Sequence, residues 1–141
     1  MQVLDFIVCD DIRQEIGGKL TLVGVYNELN VHVPNIKNFK PPINLPRLGF
    51  LLRVFNPNKD FSADTITFQI LFNNEMINSL SAPANFEQGK DFFNIFLVSQ
   101  NFPITGNGDL TLKIVFLKDN RVVEEVTPIK PLKVTLIEKP E

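Results

Sequence analysis

Tryptophan is absent from the sequence, and cysteine, histidine and tyrosine occur once each, as Cys9, His32 and Tyr26. Each shortage closes a class of chemistry. A lone cysteine forbids an intramolecular disulfide, which fits a reducing compartment better than a secreted scaffold. Zinc sites commonly draw on several Cys and His ligands, and one of each is too few. The same two residues are the sole material for a thiol–imidazole dyad, and no third group near them in sequence would orient the base. Cys9 instead closes the apolar run Phe6-Ile7-Val8-Cys9 and reads as a small buried hydrophobe. His32 sits between Val31 and Val33 and reads as a solvent-facing residue of an edge strand.

Other signatures are missing too. The chain has no Gly-x-Ser-x-Gly elbow, phosphate loop or dinucleotide fingerprint, and Gly17-Gly18-Lys19 lacks the glycine spacing of a phosphate loop. Sugar clefts usually present aromatic platforms, whereas the 13 phenylalanines here follow core periodicity. Apolar runs such as Ile114-Val115-Phe116-Leu117 fall far short of the roughly 20 residues a membrane helix needs. The opening Met1-Gln2-Val3-Leu4-Asp5 has no basic segment before an apolar one, so no signal peptide is visible. A formal charge of −2 gives no electrostatic footprint for nucleic acid. The expectation is a soluble cytoplasmic protein with no cofactor and with neither nucleic acid nor membrane as partner.

What is present is the material of a folded core. The 141 residues are 44% hydrophobic and 21% charged, the balance of a soluble domain, and they read as one domain over residues 1–141. Period two dominates. Leu48, Phe50, Leu52 and Val54 share a face, as do Ile66, Phe68, Ile70 and Phe72, and again Leu110, Leu112, Ile114 and Phe116. Successive strand residues point to opposite faces, so these runs mark half-buried strands, with Phe50, Phe68, Phe72, Leu112, Ile114 and Phe116 as core. Turn signals separate them: Gly17-Gly18, Asn56-Pro57-Asn58, Asn73-Asn74, Gly106-Asn107-Gly108-Asp109, Asp119-Asn120, and Pro128 with Pro131. Short strands spaced this way predict an all-β fold, an antiparallel β-sandwich of the immunoglobulin-like or a related type, with eight or nine strands.

Two segments are less regular. Residues 10–16 read as a continued strand or as a helical turn capped by Gly17, because Ile12 and Ile16 are neighbours in either geometry. The strand is favoured, since Gly17-Gly18 then closes a hairpin directly. Residues 28–46 carry Pro34, Pro41, Pro42 and Pro46 and read as one long connection, with room for a short edge strand at residues 31–33. Connections beyond roughly 12–15 residues are usually functional or disordered, so Ile36, Phe39 and Ile43 are the candidate partner-contact residues. Asp10, Asp11, Asp60, Asp64 and Asp119 fall at predicted turns or strand ends. Asp favours turns by bonding its own backbone; the alternative is a calcium site, which needs six to eight converging oxygens, and Asp10, Asp11, Asp60 and Asp119 are its candidate ligands.

The block Cys9-Asp10-Asp11-Ile12-Arg13-Gln14-Glu15, followed by Gly17-Gly18-Lys19-Leu20-Thr21-Leu22-Val23-Gly24-Val25-Tyr26, resembles the opening of an uncharacterised bacterial protein family of unknown function. Members of that family begin with a strand, a Gly-Lys hairpin and a Gly-Val-Tyr or Gly-Val-Phe strand end. The hairpin Phe116-Leu117-Lys118-Asp119-Asn120-Arg121-Val122-Val123 is similar to the family's penultimate hairpin. The resemblance implies a bacterial source and an antiparallel sandwich, and carries over no activity and no functional residue. Within the block, Gly24 inside a strand marks a bulge or a close backbone approach. The functional expectation is a non-enzymatic interaction or structural module contacting a protein partner or a second copy of itself. The alternatives are a calcium- or small-ligand-binding β-sandwich, or an enzyme whose site is assembled from residues far apart in sequence.

Overall fold

The computed structural model describes residues 1–84 and 89–139. Among them there is no helix, and ten strands form two sheets. The strands are β1 (Gln2–Gln14), β2 (Leu20–Tyr26), β3 (Leu29–Val33), β4 (Ile43–Phe55), β5 (Thr65–Phe72), β6 (Glu75–Pro83), β7 (Phe92–Ile104), β8 (Gly108–Lys118), β9 (Arg121–Val126) and β10 (Leu132–Glu138). One sheet has the order β2-β1-β4-β7; the other has β3-β10-β8-β5-β6, with β9 also on β8. The all-β expectation holds, and the expected eight or nine strands become ten because β7 has no readable alternation. The sheets are not purely antiparallel: β3 pairs parallel to β10, with Leu29 opposite Val134 and Val33 opposite Glu138. Those two segments lie far apart in sequence, so no turn signal marks their pairing.

The chain divides into two compact units, each assembled from three separate segments. Unit 1 comprises residues 1–6, 52–95 and 109–131. Its organising feature is the long antiparallel ladder of β5 on β8, which sets Ile66 opposite Phe116, Phe68 opposite Ile114 and Ile70 opposite Leu112. All six side chains are buried on the same face, which explains the alternation seen in both segments. Phe61 stands edge-on to Phe116, with ring centroids 5.4 Å apart. Phe72, at the end of its row, is half-buried instead of buried. Asn73 and Asn74 join β5 to β6, and Asp119 and Asn120 join β8 to β9. All four have positive φ, the pattern of a type I′ hairpin turn. The Asp64 carboxylate accepts a hydrogen bond from the Asp119 backbone N–H, which holds its pKa below the usual carboxylate value.

Unit 2 comprises residues 7–51, 96–108 and 132–141. β1 continues as a strand through Gln14, so residues 10–14 are strand and not a helical turn. The hairpin to β2 is wider than a two-residue loop: Gln14 pairs with Leu20, and the Glu15 N–H donates to the Lys19 carbonyl at 2.7 Å. Gly17 and Gly18 take φ of 88° and 79°, which glycine adopts without steric strain. Cys9, Ile12 and Leu51 form a buried cluster backed by Ile7, Leu20, Leu22, Phe96 and Val98. Gly49 makes room for it, since a Cβ there would lie 2.9 Å from Ile12 Cγ1 and 3.1 Å from Cys9 Sγ. The long connection is shorter than expected. β3 takes residues 29–33 and β4 starts at Ile43, leaving residues 34–42 between them. Pro46 sits in the exposed opening of β4, whose burial begins at Leu48, so it does not end the strand.

Candidate functional site

β6 is the outer strand of the six-stranded sheet, and all nine of its residues are exposed. Its partner β5 has an alternately buried face, so the ladder carries β6 out beyond the core. Three large apolar side chains are left in solvent: Met76 at 57% exposure, Ile77 at 40% and Leu80 at 44%. The register slips at Ile70/Leu71, leaving Ile77 bulged, and then runs without interruption from Asn78 to Pro83. Edge strands are normally protected by lysine, proline, a bulge or a cover. Here the bulge and the proline stand at the two ends, and the stretch Asn78-Ser79-Leu80-Ser81-Ala82 between them has no charge. Residues 76–80 read as a short strand by their turn flanks, but only the pairing order shows that the strand is an edge with both faces wet.

In unit 2, Ile36 lies in the loop after β3 and is 44% exposed, while Phe39 is half-buried in the same loop. Ile43 is the half-buried first residue of β4 and not part of the loop. The Phe39 N–H donates to the Ile36 carbonyl at 3.3 Å, so two of the three residues share one turn.

The aspartates have local roles. Asp10 accepts the Tyr26 hydroxyl proton in a hydrogen bond across the β1–β2 ladder. Asp11 is paired with Arg47 at 2.8 Å and with Arg13 at 3.7 Å. Asp60 is exposed in a turn, where its N–H donates to the Asn58 side-chain oxygen, and Asp119 is a turn residue with φ 51°. Among the described residues no group of three or more His, Cys, Asp or Glu is placed to hold a metal ion.

Cys9 and His32 stand in different sheets, on β1 and β3. The Cys9 thiol is fully buried, lies 3.3 Å from the Asp11 carbonyl, and has its pKa pushed up by desolvation. Thiolate chemistry is disfavoured there. His32 is exposed on an edge strand, as its flanking valines predict. The phenylalanines are less uniformly core than their spacing implies: Phe50, Phe68, Phe102 and Phe116 are buried, whereas Phe92 is 49% exposed under the Arg53 guanidinium.

Unit 1 also has a cleft of about 340 Å³, lined by Asn74, Asp109, Thr111 and Thr127 and walled by Pro128 and Pro131. Its lining offers acceptors and hydroxyls but no aromatic platform. Thr111 Oγ1 is buried without a hydrogen-bond partner among the described residues. An unpaired buried hydroxyl costs about 1–3 kcal/mol, and replacing it by a methyl group of the same shape removes that cost. Thr111→Val is therefore expected to leave stability unchanged or raise it by about 1 kcal/mol. Urea unfolding checks this, and a loss of similar size would show the hydroxyl to be bonded.

Among the described residues two sheets of ten strands define an all-β protein in which β6 ends the six-stranded sheet with every residue exposed. Residues 4–127 match the Family of unknown function (DUF6941), and the chain belongs to that family. No curated protein matches the chain. Among the described residues no helix is long and apolar enough to cross a membrane.

Proposed function

We propose that the chain is a non-enzymatic interaction module that docks an extended protein segment on the edge of β6. In this reading it is a single β-sandwich domain of the immunoglobulin-like or a related type over residues 1–141, working in the bacterial cytoplasm on a protein partner and not on nucleic acid or membrane. The observation that carries it is the exposure of all nine residues of β6. Fixing a backbone residue costs about 1–2 kcal/mol of conformational entropy. A strand that buries neither face recovers little of that within its own chain. Docked strands supply what is missing: main-chain hydrogen bonds give affinity, and alternate side chains give specificity. Ile36, Phe39 and Ile43 are the corresponding side-chain contacts proposed for unit 2.

Panning a displayed random-peptide library against the folded protein tests the reading. Recovered peptides are expected to slow amide hydrogen exchange in residues 76–83. Recovery of peptides that protect other segments and leave β6 unchanged would overturn it. A second reading, a small polar ligand in the unit 1 cleft, is favoured only by the Thr111 hydroxyl.

A further inference from the structure

We infer that β6 pairs antiparallel with β6 of a second copy, with the twofold axis passing through Leu80. This rests on the reading of β6 as a docking edge and names its occupant.

The flat part of β6 is bounded by the bulge at Ile77 and by Pro83, which has no N–H to donate. The stretch between them, residues 78–82, is centred on Leu80. An isologous contact needs a surface complementary to itself, and a strand meets that condition about its own midpoint. Pairing about Leu80 sets Leu80 against Leu80 of the second copy, Ser79 against Ser81, and Asn78 against Ala82. No charged residue is opposed, since Glu75 lies outside the paired stretch.

The two faces of the sheet agree with this register. Val126, Ile114, Phe68 and Leu80 are successive cross-strand neighbours on one face. Their exposures are 4%, 0%, 8% and 44%, so the apolar row is open only at Leu80. A second copy related through Leu80 continues it with Leu80, Phe68 and Ile114 in reverse order. On the opposite face Ser81 shares a hydrogen bond with Thr67 at 2.9 Å, and the Ser79 hydroxyl of the second copy is set beside it. Apolar side chains meet apolar ones, and hydroxyls meet hydroxyls. Five paired residues per copy make a contact well below the roughly 1,200 Å² of a stable interface. The dimer is therefore weak and concentration-dependent.

Sedimentation velocity from the micromolar to the millimolar range tests the proposal, with melting temperature as the control for folding. Wild type is expected to pass from monomer to dimer. Leu80→Lys and Leu80→Glu each place like charges in contact on the axis and are expected to weaken dimerisation by about fivefold. Mixing the two variants is expected to restore a dimer, because lysine then faces glutamate; a strand paired in another register would gain nothing. Wild type monomeric at every concentration, or dimers that tolerate both single variants, would overturn self-pairing. Peptide-induced protection of β6 is read separately, so failure of self-pairing and failure of the docking edge are distinguishable.

Discussion

Phe116→Ala is expected to lower the unfolding free energy by about 3–5 kcal/mol, the usual loss when a buried aromatic is truncated. Total stability of a domain is about 5–15 kcal/mol, so this one side chain accounts for a large share of it. Phe116 has no exposed surface, pairs with Ile66 across the β5–β8 ladder, and meets the Phe61 ring edge-on. The cavity left by its removal borders Ile66 on β5, a strand held between β8 and β6, which limits collapse on that side. Phe92→Ala is the contrasting variant. Phe92 is 49% exposed and touches Phe55 and the Arg53 guanidinium, so its loss is expected to cost about 1 kcal/mol. Urea unfolding followed by far-ultraviolet circular dichroism measures both. Equal losses for the two variants would contradict the placement of either ring.

The contrast between these rings shows what the sequence can and cannot reveal. β5 and β8 were legible because each has one buried face, and burial of one face is what produces alternation. β7 was not: both its faces are partly covered between Phe96 and Ser99, and Asn94, Gln100 and Asn101 interrupt the apolar positions. The parallel β3–β10 pair was invisible for another reason, since no local turn sets its register. The candidate site divides in the same way. The short segment around Met76 and Leu80 reads as a strand, but an edge is defined by which neighbour is missing, and that is a property of topology. Apolar residues on an edge and in a core look alike in sequence. Ile43 shows the same limit from the other side, because a strand that starts before its burial starts reads as loop.

Gly24→Ala is expected to break the hydrogen bond between Tyr26 and Asp10 and to destabilise unit 2 at its first hairpin. Gly24 has φ 67° and sits between Val23 and Val25, which pair with Asp11 and Cys9 without a register shift. No bulge explains it, therefore; the Asp10 side chain lies against it instead. An alanine in that region costs about 1–2 kcal/mol in backbone strain alone. Its Cβ would also lie 2.8 Å from Asp10 Cγ and would force the carboxylate away from the Tyr26 hydroxyl. Tyr26 reports the change directly. Burial, and then the hydrogen bond and charge of Asp10, push its pKa from 10.0 up to about 12. It is the sole tyrosine and there is no tryptophan, so an ultraviolet titration follows this group alone. The folded state holds the phenolic proton more tightly than the unfolded state does. The resulting stability is therefore fully present below pH 10 and is lost as pH rises from 10 to about 12. Gly24→Ala is expected to move the tyrosine midpoint down and to reduce that alkaline loss of stability, the part due to burial remaining. Asp10→Asn, which removes the carboxylate charge and keeps Gly24, is expected to lower the midpoint without the backbone cost. An unchanged midpoint in both variants would mean that Asp10 does not hold the tyrosine proton.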